Sequence, residues 1–237
     1  MNVTRSIVFD FDGTLAVGNG PVLAYARAVA PSAAPGFVAR VEDELKALDT
    51  GRSGYRDGYH VVAELAERDG VSSGTMNKAY QASREVLGTP DAPVDAPAGL
   101  AELLDSLRQH AELHVATNAP RAGVEQVLDS WGVREYFAQT HFNVGKPAGL
   151  YPVIEDALRR GPVLAVGDIV EFDLQPAIDL GADTALVGAS AATSKAPVTM
   201  RGASLAALRD ELVRWAEQPP AHTSSSHTSH LKGFPDA

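Results

Sequence analysis

Hydrophobic and polar positions fall into two textures along this chain. Ile7-Val8-Phe9, an apolar run ending in Asp10-Phe-Asp12-Gly13, predicts a short buried strand closing on a polar turn. From residue 21 to 93 the spacing becomes helical. Val38, Val41, Leu45 and Leu48 form one amphipathic stripe, Val61, Val62, Leu65 and Ala66 a second, and a third helix is expected over 75–87. Residues 89–97, with three prolines, interrupt this pattern and read as a linker.

Beyond the linker, strands and helices alternate. Strands are predicted at 112–117, 139–142, 162–167 and 184–187, between helices at 100–110, 121–131, 151–160, 174–180 and 205–215, with Gly132 as a C-cap. Pro162-Val-Leu-Ala-Val-Gly167 has no polar interruption, as expected of a strand covered on both faces. The rhythm predicts an α/β fold, a doubly wound parallel (Rossmann-like) sheet with a helical segment inserted after the first strand. The expected divisions are an α/β core from 1–17 and 95–218, a helical cap from 18–94, and a disordered tail from 219–237. That tail is poor in apolar residues, so His222, His227 and His230 read as parts of a solvated segment, not as metal ligands.

Composition narrows the picture. With 237 residues, 45 % of them hydrophobic, the chain can bury one sizeable core plus an insert. The absence of cysteine excludes disulfides, thiolate metal sites and a cysteine nucleophile, and fits a cytoplasmic protein. Residues 1–5 lead directly into the first strand, so no signal peptide is expected, and no apolar run reaches the length of a membrane span. A formal net charge of −10 argues against nucleic acid or an acidic membrane surface as partner. An anionic substrate would have to be held by local cations.

The candidate chemistry lies where strands end. Asp10 and Asp12, two apart, should leave the first strand on the same side, and two carboxylates that close repel unless a proton or a cation intervenes. Thr117-Asn118 closes the second strand and offers a hydroxyl and amides to an anion. Lys146 is the only lysine between Thr117 and Asp168 in a chain with five. Asp168 stands at the mouth of the buried strand, with Asp173 five residues on, and the two could supply hard oxygen ligands for Mg²⁺. In open α/β sheets, ligands bind at such strand ends.

Asp10-Phe-Asp12-Gly13-Thr14, Thr117-Asn118, Lys146-Pro147 and Gly167-Asp168 with Asp173 resemble, in order, the four motifs of the haloacid dehalogenase-like hydrolases. The resemblance spans about residues 7–187, and the helical insert falls where that family places its helical cap. Ile169 departs from the Ser or Thr common there, and Ala148-Gly149 replaces the more usual continuation of Lys-Pro. The resemblance implies a Mg²⁺-dependent phosphatase. Asp10 would attack phosphorus to form an aspartyl-phosphate, while Asp12 would serve as general acid and then general base. Asp10, the Asp12 carbonyl, Asp168 and Asp173 would hold or neighbour the metal. Thr117 and Lys146 would steady the phosphoryl charge, with Gly13, Thr14 and Asn118 binding it.

A carbon–halogen hydrolase of the same fold has no need of an acid at position 12, because halide leaves unprotonated. A phosphosugar mutase, or a catalytically silent phosphometabolite-binding protein, remains an alternative. The cap is expected to act as a lid. Its most polar segment, 51–60, carries Arg52, Tyr55, Arg56 and His60, of which Arg52 and Arg56 are the expected contacts to a small phosphorylated metabolite. The sequence is compatible with a monomer or a homodimer.

Overall fold

In a computed structural model, residues 4–50 and 52–218 are described. Among the described residues six strands, all parallel, form one sheet: β1 (Arg5–Phe9), β2 (Ala111–Ala116), β3 (Gln139–His141), β4 (Val163–Gly167), β5 (Asp183–Val187) and β6 (Met200–Gly202), in the spatial order β3-β2-β1-β4-β5-β6. β1 is central, and side chains alternate across it. Ile7 and Phe9 join one apolar layer with β2 and the helices α5 (Leu100–Leu107), α6 (Arg121–Ser130) and α9 (Arg209–Glu217). Val8 joins the opposite layer with α7 (Leu150–Leu158) and α8 (Gln175–Asp179). Both faces of β1 and β4 are therefore covered, which is why their sequences are continuously apolar.

Between β1 and α5 lie α1 (Gly20–Val29), α2 (Phe37–Asp49), α3 (Gly58–Arg68) and α4 (Ser73–Glu85). These four pack round a separate apolar cluster that includes Val22, Val41, Leu45, Val61 and Leu65. Asp57 caps α3 by accepting from the His60 N–H at 2.7 Å, and Ser72 caps α4 by accepting from the Thr75 N–H. On α2 the expected stripe holds at Val41, Leu45 and the partly buried Leu48, and differs at its first position. Phe37, Val41 and Leu45 are buried, whereas Val38 is only partly so, because the bulkier Phe37 takes the inward position.

Two further differences from the sequence reading concern short or irregular pieces. β6 is only three residues long and carries no periodic signal. The helix expected over 174–180 starts with a π-helical turn, Val170–Leu174, before α8. The expected tail 219–237, with its three histidines, lies outside the described residues.

Candidate active site

Sheet register builds the site. Phe9 pairs with Val115 on one side and Val166 on the other, so the carboxyl ends of β1, β2 and β4 finish level. Asp10, Thr117 and Asp168 follow those ends and share one edge, next to the β1–β4 switch point of the sheet. The strand itself stops at Phe9, so the common orientation of Asp10 and Asp12 comes from a turn and not from strand pleating. The Leu15 and Ala16 amides donate to the Phe11 carbonyl, and the Gly13 amide donates to Ala16, which folds the chain back. Gly13 has φ +86°, and a Cβ there would lie 2.4 Å from Asp168 Oδ2, so only glycine fits.

At this edge Lys146 Nζ donates to Asp10 Oδ1 at 2.6 Å and to Asp173 Oδ1 at 2.8 Å, all three side chains being buried. Burial alone would lower the Lys146 pKa, but the two carboxylates overcome it and raise it, so the ammonium stays charged. Burial first, and the Asp173 charge second, push the Asp10 carboxyl up to about 7 against the pull of Lys146. Asp168 is raised for the same reasons, burial and then Asp173 and Asp10. Asp10, Asp168 and Asp173 each bring one oxygen within 4.8 Å of the others'. Asp10 Oδ2 and Asp168 Oδ1 are buried without a hydrogen-bond partner. Three converging carboxylates, two of them with an orphaned oxygen, fit a small hard cation such as Mg²⁺.

The neighbouring expected residues join this cluster. Asn118 Oδ1 accepts the Lys146 amide at 2.8 Å and so ties the lysine loop to the end of β2. Thr117 Oγ1 accepts from the Ala119 N–H, which leaves its own proton to donate into the cleft. Asp173 Oδ2 accepts from the Ile169 amide at 3.0 Å, a backbone contact indifferent to the side chain at 169. Thr14 does not join them. It is buried, and it lies outside the lining of the cleft, so its expected role as a phosphoryl contact is not supported by its position.

A cleft of about 600 Å³ runs from this edge to the helical insert. Tyr55 and Arg56 line it from the 51–60 segment; Arg56 stacks 4.4 Å over Phe172 and pairs with Asp57 at 2.8 Å. Arg52 is exposed, bonds Thr50 and stands outside the lining, and His60 turns its Nδ1 to the Arg56 amide. Only one of the two expected arginines therefore faces the cleft. The sequence reading missed Arg84. This arginine of α4 has 1 % side-chain exposure, and its guanidinium grips both Asp12 oxygens at 2.8 and 3.2 Å. No local signal marked it, since packing alone decides whether an arginine on this helix faces water or a carboxylate.

A sequence model of the haloacid dehalogenase-like hydrolases matches residues 4–181. No curated protein sequence matches the chain significantly. Among solved structures, the chain is similar to a candidate HAD hydrolase, YfnB of Bacillus subtilis, described as bound to magnesium. Identity is 17 % over 88 % of this chain and 98 % of that one, with a TM-score of 0.60. It is similar to a candidate phosphatase of Clostridium difficile at 19 % identity, over 90 % and 99 % of the two chains, TM-score 0.58. A 2-haloacid dehalogenase of Pseudomonas syringae pv. Tomato shares 17 % identity over 90 % and 99 %, TM-score 0.52. At such identities these structures establish the fold and do not distinguish phosphatase from dehalogenase. The family match covers most of the chain and includes every strand end that carries Asp10, Thr117, Lys146 or Asp168, and on that ground this chain belongs to the haloacid dehalogenase-like hydrolases.

Proposed function

We propose that this hydrolase cleaves a small phosphomonoester with the help of Mg²⁺, through an aspartyl-phosphate on Asp10. The supporting observation is that a second carboxylate, Asp12, lines the same cleft as Asp10 and Lys146. A halide leaving group needs no proton, whereas an alkoxide does, so an acid beside the nucleophile favours a phosphate ester. Asp10 supplies the attacking oxygen. Lys146 and the Thr117 hydroxyl donate to the phosphoryl oxygens, where charge accumulates. Asp12 gives its proton to the departing alcohol and later takes one from the water that opens the intermediate. Asp10, Asp168, Asp173 and the Asp12 carbonyl would hold Mg²⁺, which supplies charge neutralisation between carboxylate and phosphate when bound. The helical insert, in this reading, is a cap that covers the reaction from water.

The charges in the cleft bear on the substrate. Its lining contains Asp10, Asp12, Asp49, Asp57, Asp168 and Asp173 against the cations Lys146 and Arg56, both already paired. No cation among the described lining residues is left for a second anionic group, so the alcohol part of the substrate should be uncharged or cationic. A panel of phosphomonoesters assayed for released phosphate tests both statements. Release is expected from esters of neutral or amino alcohols and polyols. Preference for a phosphorylated carboxylic acid or a bisphosphate would overturn the charge argument, and no release from any ester would overturn the phosphatase reading.

A further inference from the structure

We propose that Arg84 and Tyr59, both from the helical insert, are positioning residues for the acid–base carboxylate of Asp12. The inference rests on the phosphatase reading and extends it to residues outside the four strand-end motifs. Arg84 Nη1 donates to Asp12 Oδ1 at 2.8 Å and Nη2 donates to Oδ2 at 3.2 Å, so the planar guanidinium engages both oxygens at once. The same Nη1 donates to the Tyr59 hydroxyl at 2.8 Å, and that hydroxyl donates to Asp12 Oδ1 at 3.3 Å. Three groups thus close a small network round one carboxylate oxygen.

Burying a guanidinium to 1 % exposure is costly unless its charge is matched, and the ionised form of Asp12, the form that takes the proton from water, supplies the match. Asp12 itself keeps 24 % side-chain exposure and lines the cleft, so the pair has a dry side and an open side. The open side faces the cleft. Arg84 also sits in a part of the insert anchored to the core. It lies near the C-terminal end of α4, three residues before Leu87, which belongs to the core cluster, and its carbonyl packs against Gly123 of α6, where a Cβ would come within 2.5 Å. Tyr59 is braced by ring contacts with Tyr25 and Tyr80. A carboxylate on a glycine-bearing turn would otherwise sample several rotamers; here its direction is set by two rigid groups behind it.

General acid–base catalysis requires a proton carrier within hydrogen-bond reach of the leaving oxygen, and misplacement by about 1 Å can cost about 10²-fold. The effect should therefore depend on how much the leaving group needs a proton. The test measures kcat and KM for wild type, Arg84→Lys, Arg84→Ala and Tyr59→Phe on phenyl phosphate and 4-nitrophenyl phosphate, with melting temperatures for each. The expected result is a loss in kcat on phenyl phosphate of about 10²-fold for Arg84→Ala, with a clearly smaller loss on 4-nitrophenyl phosphate and little change in KM. Free guanidinium at millimolar concentration should restore part of the loss. Tyr59→Phe removes one hydroxyl and keeps the ring packing, so it reports even where Arg84→Ala fails to fold; it should shift the ratio of the two rates the same way by a few fold. If these variants lose equally on both substrates in proportion to their melting temperatures, without rescue, the pair is only a brace between insert and core and the inference is wrong. A wild type that releases no phosphate from either ester or from the wider panel overturns the phosphatase reading, and the inference with it.

Discussion

The strand-end edge of the sheet and the wall of the helical insert face each other across one cleft, but they place their functional groups by different means. At the sheet edge, each residue is delivered by a parallel strand whose register is set by apolar side chains, so its address is local and one-dimensional. In the insert, what reaches the cleft depends on how four helices settle round their own core. Thus Arg56 enters while Arg52, four residues earlier, stays outside, and Arg84, thirty-odd residues downstream, is buried against Asp12. Groups on the sheet edge should therefore matter to every substrate. Groups on the insert should discriminate between substrates.

That contrast can be broken by mutation. The largest loss is expected from Asp10→Asn, since an amide is no nucleophile; turnover of any phosphomonoester should fall by about 10⁴-fold or more. Lys146→Ala should cost about 10²–10³-fold on aryl and alkyl esters alike, because in the proposed mechanism it touches the phosphoryl group they share. Steady-state kinetics on two unlike esters check both, and a strongly substrate-dependent loss for Lys146→Ala would erase the proposed division of labour.

Metal removal sharpens the comparison from the sheet side. Asp10 and Asp168 have pKa values raised above the usual carboxylate value of 3.8. For such groups the folded state binds protons more tightly than the unfolded one. Their contribution to stability is complete below pH 3.8 and is lost as pH rises through the folded value, about 7 for Asp10. A divalent cation on the deprotonated cluster would offset that loss, so the rise in melting temperature on adding Mg²⁺ should be larger at pH 8 than at pH 5. Each 1 kcal/mol corresponds to about 2–4 °C in a chain of this size. An equal shift at both values, or the same shift in Asp168→Asn, would place the cation elsewhere.

The smallest effects are expected on the insert loop. Arg56→Ala should change kcat/KM by several fold on the best ester of the panel, through loss of its stacking on Phe172 and its pairing with Asp57, whereas Arg52→Ala should stay within about twofold. A reversed order would mean that the loop rearranges when substrate binds.

Most of the sheet edge was legible from sequence. Asp10, Asp168 and Asp173 follow strongly apolar strands, which have few alternative placements, whereas Lys146 follows the short polar β3 and was read from its place among the four motifs. Thr14 shows where that legibility stops. It is contiguous with Asp10 and Asp12, yet the turn closed by the Phe11 carbonyl carries it away from the cleft, and motif membership does not report direction. On α2, Val41 and Leu45 are inward as expected but Phe37 takes the place expected of Val38, because Phe37, four residues before Val41, and Val38, three before it, both satisfy the helical period.

By itself the sequence determined the parallel α/β sheet, the position of the helical insert and which polar residues follow the strand ends, because apolar periodicity and strand-end polarity are short-range properties. Only the tertiary structure decided that Lys146 joins Asp10 to Asp173 and that Arg84 is the partner of Asp12. Those contacts link residues 136, 27 and 72 positions apart, and an arginine on an amphipathic helix has the same local signature whether it faces water or a carboxylate. Burial and counter-charge, which distinguish the two, exist only once the insert has packed on the sheet.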